Sequence, residues 1–192
     1  PNNANAHYLI AKAFGRIGIN HKAIRFYKKA IKINPNYVEA LNNLGRLYES
    51  INDIEKASIF LKKAMIINPK HINIYWNLIA LCSNIDDALS LTKKINEIDN
   101  KDIDAITKIS GLEAYKGKFE KFNDLLNSSE KNHPNIRSFK WFFSLPKLPK
   151  IFFNRWNFFD YVAKLSVRSR PFYEFGVWNG ISFKYLINIF KK

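Results

Sequence analysis

The chain has 192 residues, 47% of them apolar and 24% charged, with a formal net charge of +15, enough for one large domain or two small ones. One cysteine, Cys82, excludes an internal disulfide and is compatible with a reducing, cytoplasmic setting; no apolar run approaches the roughly 18 residues that span a membrane. The four histidines have no metal-ligand spacing, and neither a phosphate-binding P-loop nor a Gly-x-Ser-x-Gly elbow occurs.

The charge is unevenly placed. Residues 1–34 hold seven Lys/Arg and no acid, residues 35–136 hold 13 Lys/Arg and 14 Asp/Glu, and residues 137–192 hold 11 Lys/Arg and two acids. Basic ends suit nucleic acid, anionic lipid or an acidic partner. A chain rich in Lys, Ile and Asn together is also what an AT-biased coding sequence gives, and that plainer reading is preferred.

A proline marks the chain at a fixed period. Pro35 and Pro69 lie 34 residues apart, as do Asn100 and Pro134, and the gap between 69 and 100 is shorter by three. The first unit reads Ile10, Ala11, Phe14, Ala23, Ala30, Pro35; the second reads Leu44, Gly45, Tyr48, Ala57, Ala64, Pro69. Within residues 38–68, Leu41, Leu44, Leu47 and Tyr48 recur at helical spacing, as do Ile54, Ala57, Phe60, Leu61 and Ala64. Ser50 to Asp53 form the turn between them, and Pro69 stops the second helix near Asn68. The third unit, 72–100, keeps Tyr75, Leu78 and Ala88 but loses three residues from its inter-helix turn. The fourth, about 103–134, keeps Ile109, Gly117 and Pro134, with Phe122 and Ser129 in place of the two alanines. Cys82 falls where Tyr48 stands one unit earlier, which predicts a packed core thiol. Asp86-Asp87 falls at a helix start, where carboxylates suit the dipole. The chain opens on Pro1-Asn2, the counterpart of Pro35-Asn36, so it is expected to begin at the end of an earlier unit.

This pattern resembles the tetratricopeptide repeat over residues 1–134. The resemblance implies a mostly α fold, an α-solenoid of about four helix–turn–helix units whose first helices line a concave, protein-binding groove. On that register, Leu9, Asn43, Asn77 and Lys108 share one row. Asn43 and Asn77 are similar to two rungs of the asparagine ladder in O-linked N-acetylglucosamine transferase repeats, where an amide can hydrogen-bond an extended peptide backbone. Tyr8, Lys12, Asn42, Arg46 and Trp76 are the neighbouring groove candidates, and Lys12 and Arg46 would favour an acidic segment.

After Pro134 the composition shifts: residues 137–192 hold 17 of the 29 aromatics. Residues 135–152, with Pro146 and Pro149, read as a hinge. A helix is expected from Phe153 to Val167, then a short strand over 172–177, a turn at Trp178-Asn179-Gly180 and a helix over 181–190. The string YEFGVWNGIS resembles the first motif of class I S-adenosylmethionine-dependent methyltransferases, in the form found in the macrocin O-methyltransferase-like branch. That resemblance implies a truncated α/β, Rossmann-like beginning over 153–192. Glu174, Gly176 and Gly180 would then lie against the amino-acid end of S-adenosylmethionine. One strand makes no sheet, so the chain reads as an inactive fragment of a longer protein.

Three functions follow from this reading. The first is a protein-interaction module fused to a methyltransferase domain. The second is a non-enzymatic scaffold that binds an extended peptide. The third, a basic aromatic C-terminal segment on nucleic acid or a membrane surface, ranks last because aromatics at helical spacing more often serve a core.

Overall fold

Helices pair along the chain in the computed structural model, which describes residues 3–144 and Asn157. The first pair is α1 (Ala4–Arg16) and α2 (Asn20–Ile33); the second is α3 (Val38–Ser50) and α4 (Ile54–Ile67). A third is α5 (Ile72–Ile79) and α6 (Ile85–Ile98), and a fourth α7 (Ile103–Tyr115) and α8 (Glu120–Leu126). A short 3-10 helix, Ser129–Asn132, leads into α9 (Pro134–Phe143). Each pair packs on the next in chain order, α2 on α3, α4 on α5 and α6 on α7. The result is a stacked array in which each unit buries the apolar face of its neighbour.

Small residues set the distance within each pair. Ala11, Ala23 and Ala30 in the first pair, and Ala57 and Ala64 in the second, are wholly buried. Beside them an aromatic stack repeats at the same period: Phe14 on Phe26 at 5.7 Å, and Tyr48 on Phe60 at 5.6 Å. The third pair puts Cys82 in the aromatic position. Its thiol is buried, with Sγ 3.5 Å from the Leu78 carbonyl oxygen, and burial pushes it up to about 11. Lone buried thiols of this kind pack as small hydrophobes.

The turns repeat as faithfully. Gly18 (φ 76°), Asn52 (φ 65°) and Gly117 (φ 88°) occupy one register position in the first, second and fourth pairs, the left-handed residue that ends a first helix. The three-residue deletion removes this position from the third pair, and α5 has only eight residues. Between pairs, Asn34, Asn68 and Asp99 each accept a side-chain hydrogen bond from the N–H two residues on, at 3.1, 3.2 and 3.0 Å. Such local Asx turns compete with continued helix. Asn100 can therefore replace the proline without loss of the turn, because Asp99 before it still makes the bond.

The fourth unit departs from its expected outline. Helix α8 stops at Leu126, so Ser129 lies in the 3-10 helix rather than at an alanine position. Pro134 opens α9 instead of closing α8, in the first-turn place where a missing N–H is harmless. The Ser128 hydroxyl donates to the Leu125 carbonyl at 2.9 Å, which satisfies the early stop, and accepts from the Glu130 N–H at the start of the 3-10 helix. Part of the stretch read as a hinge is thus helical. In α9, Ile136 is buried and Phe139 lies against Gly111, where any Cβ would clash with the ring. Phe122 and Phe142 pack edge-to-face on it, and Phe143 stacks on it at 6.0 Å. Glu113 ties three helices together through Lys93 of α6 (3.0 Å) and Lys121 of α8 (3.1 Å). Burial alone would raise its carboxyl; the two ammonium groups outweigh that and hold it below the usual range.

Residues 145–156 and 158–192 lie outside the described residues, and with them the expected strand, turn and helix and the positions Glu174, Gly176 and Gly180. No helix among the described residues is long and apolar enough to cross a membrane.

Two glycines test the packing argument. A Cβ on Gly45 would lie 2.6 Å from Leu61 Cγ, whereas one on Gly15 meets only Ala23 Cβ at 4.0 Å. Gly45→Ala should destabilise the protein by about 1–3 kcal/mol, and Gly15→Ala should stabilise it by about 0.5–1 kcal/mol, both read from urea unfolding midpoints.

Candidate functional site

The first helices share one polar face. On α3, Glu39, Asn42, Asn43 and Arg46 follow the i, i+3, i+4, i+7 pattern that places them on one stripe. Asn73, Trp76 and Asn77 do the same on α5, and Tyr8 projects from α1. Together with His71 these residues line an open groove of about 450 Å³. Six of the seven sequence candidates, Tyr8, Asn42, Asn43, Arg46, Trp76 and Asn77, therefore fall in one place. Lys12 is exposed on α1 but does not line the groove.

Neighbouring rows are cross-linked. Asn43 Nδ2 donates to Tyr8 Oη at 3.1 Å, and Asn77 Nδ2 donates to Asn42 Oδ1 at 2.8 Å. One unit further, Lys108 Nζ sits over the Trp76 ring at 5.1 Å. The same stagger thus recurs three times, each rung bonding to the preceding unit. The two asparagines are not wholly free ladder rungs, since part of each amide is used to fix the register of adjacent first helices. A primary amide has two N–H groups and a carbonyl, so each Asn43 and Asn77 side chain keeps further capacity toward a ligand.

The walls are aromatic and mixed in charge. The Tyr8 ring lies 5.1 Å from Tyr37 and 6.0 Å from Tyr27, and Tyr37 Oη donates to Asn5 Oδ1 at 3.0 Å. Burial, then the neighbouring Tyr8, pushes the Tyr27 hydroxyl up to about 12 against the opposing pull of Arg46 and Asn43. It is a neutral phenol throughout the physiological range. Burial also lowers the Lys108 ammonium from its usual range, while Asp104 works the other way. Arg46 is exposed and offers a planar set of donors to carboxylates or carbonyls.

Glu39, His71 and Asn73 also line the groove and were not anticipated there. Stepping back three residues from Asn42 and Trp76 would have found Glu39 and Asn73, because one helical turn separates them. No group of three metal-binding side chains occurs among the described residues. Asp86 and Asp87 begin α6, where Asn84 Oδ1 accepts from the Asp87 N–H at 2.8 Å and Asp86 pairs with Lys116. They serve a helix start.

Repeated helix pairs, small-residue contacts and a groove lined by first helices define a tetratricopeptide-type α-solenoid. The tetratricopeptide repeat family profile matches residues 20–82. The chain is 40% identical over 52 residues to the uncharacterized protein ycf37 of Pyropia yezoensis, a match covering 27% of this chain and 29% of that protein, so it spans under a third of that relative's length. The crystal structure of MamA superposes with a TM-score of 0.58 at 21% identity, covering 73% of this chain and 80% of that one. The first tetratricopeptide domain of Spaghetti (RPAP3), bound to the HSP90 peptide SRMEEVD, gives 0.53 at 14% identity, covering 59% of this chain and 93% of that one. These structural likenesses concern the fold.

The register bond is testable. Asn42 is 7% exposed and loses its partner if Asn77 is truncated. Asn42→Ala and Asn77→Ala should each cost about 1 kcal/mol. In a double-mutant cycle the pair should fall short of additivity by about 0.5–1 kcal/mol, measured by denaturant unfolding.

Proposed function

We propose that the protein is a non-enzymatic scaffold whose groove holds an extended segment of a partner protein. The observation behind this reading is the run of Tyr8, Asn42, Asn43, Arg46, Trp76 and Asn77 along one face of three consecutive first helices. A peptide lying across them meets amide donors and acceptors at each step, an aromatic ring at either end and a guanidinium between. Directional hydrogen bonds to the peptide backbone supply affinity with little sequence demand, and the rings and charges add side-chain preference. The peptide complex of the Spaghetti (RPAP3) domain is a precedent for a ligand on this fold.

A second reading concerns residues 153–192. The Glu174, Gly176 and Gly180 string supports a methyltransferase-like continuation in the whole protein, with S-adenosylmethionine as cofactor. Calorimetric titration of S-adenosylmethionine into the full-length protein is expected to show saturable binding on that reading, and heat no greater than dilution rejects it.

The groove is tested by displaying random peptides against the chain and measuring the selected sequences by fluorescence anisotropy. Arg46→Ala and Trp76→Ala should each weaken binding by about 5–30-fold, the effect of losing one charged or aromatic anchor. Lys12→Ala should leave it unchanged. Selected peptides that bind both groove variants as tightly as the parent chain would reject this site.

A further inference from the structure

We propose that the outward face of α2 and α4 docks the protein on an anionic lipid surface, leaving the groove of the first helices open on the other side. Ala23, Tyr27 and Ala30 turn inward on α2. Opposite them, Lys22, Arg25, Lys29 and Lys32 form an exposed stripe at i, i+3, i+7 and i+10. Thirty-four residues on, the same stripe of α4 reads Lys56, Ile59, Lys63 and Ile66. Equivalent positions of stacked units face the same way, so Arg25 is the neighbour of Ile59, Lys29 of Lys63 and Lys32 of Ile66.

Two properties of this face stand together. The cations are largely uncompensated: no ion pair between described residues involves α2, and on α4 only Lys56 is paired, to Asp53. Glu55 is the one acid on α4. Among these cations stand two large apolar side chains, Ile59 at 56% and Ile66 at 78% exposure. In α6 the stripe becomes Asp87, Ser90, Lys94 and Glu97, with Lys94 and Glu97 paired at 2.7 Å, so the cationic face ends with the second unit.

Interspersed lysines and projecting isoleucines match a lipid headgroup layer, where the charge meets phosphate and carboxylate and the apolar tips reach the acyl boundary. They match nucleic acid less well. A phosphodiester backbone offers nothing to Ile59 and Ile66, and the aromatic rings that could stack on bases are covered. Lys22 lies over Phe14 at 5.2 Å, and Arg25 and Lys29 lie over Phe26 at 5.6 and 5.3 Å.

The test is flotation of the whole chain with phosphatidylcholine–phosphatidylserine vesicles and with pure phosphatidylcholine vesicles. Binding is expected to the first only. Lys29→Glu with Lys32→Glu should lower the partition coefficient more than about twentyfold, at about fivefold per cationic charge lost near the surface. Ile66→Ser should weaken the fraction retained at high salt, and Lys118→Glu, an exposed turn residue at the other end of the array, should change nothing. Circular dichroism confirms that each variant is folded. No difference between the two vesicle types overturns the proposal. So does unaltered binding by the folded Lys29→Glu/Lys32→Glu variant, which would place the contact elsewhere in the chain. Gel retardation of RNA that depends on Lys29 and Lys32, without flotation, would assign the face to nucleic acid and equally overturn it.

Discussion

The close approach of two helices at positions with no room for more than a methyl group is the constraint from which the array follows. The buried Ala11, Ala23 and Ala30 in the first pair, and Gly45 against Leu61 in the second, let the two helices of a pair come together. A pair at that separation closes its aromatic stack but leaves apolar surface on its flank, so the next pair must cover it. Turn geometry, unit length and groove are set by that packing. The left-handed residues at 18, 52 and 117 end the first helices where the second must fold back, and the Asx turns at 34, 68 and 99 hand the chain on to the next pair.

Much of this was legible because it recurs. The small residues, the aromatic pair and the prolines stand out when the sequence is laid against itself at a fixed step. What failed was the fourth unit, where Ser129 and Pro134 met the spacing by number while α8 had already stopped at Leu126. Spacing counts residues, whereas helix length depends on local caps, and Asn127-Ser128 supplied one. The proline itself was a partial guide, since the Asx side chain before it does the bonding and persists where the proline is lost.

The groove was legible as two rows, not as a bonded surface. Stepping by the repeat length aligns Asn43 with Asn77, but the hydrogen bonds run from Asn43 to Tyr8 and from Asn77 to Asn42, between rows rather than along one. Adjacent first helices are offset in register, and no one-dimensional pattern reveals an offset. The outer face was hidden for a related reason. Counting charge by segment averages α2 with everything near it, while the structure separates a cationic side from a groove of mixed polarity. The two faces need not compete for the same residues, because first helices supply one and second helices the other.

The truncated α5 has a consequence for how the array comes apart. A solenoid behaves as a row of units coupled only to their neighbours, and its cooperativity is as good as its weakest junction. Eight residues in α5, against 13 in α1, α3 and α7, give the third unit the smallest first helix of the four. Opening there would split the row into an N-terminal half with the cationic outer face and a C-terminal half sealed by α9. The groove crosses that seam, with Asn42 on one side and Asn77 on the other. A ligand lying across it acts as a splint, so occupancy of the groove and unity of the fold rise and fall together.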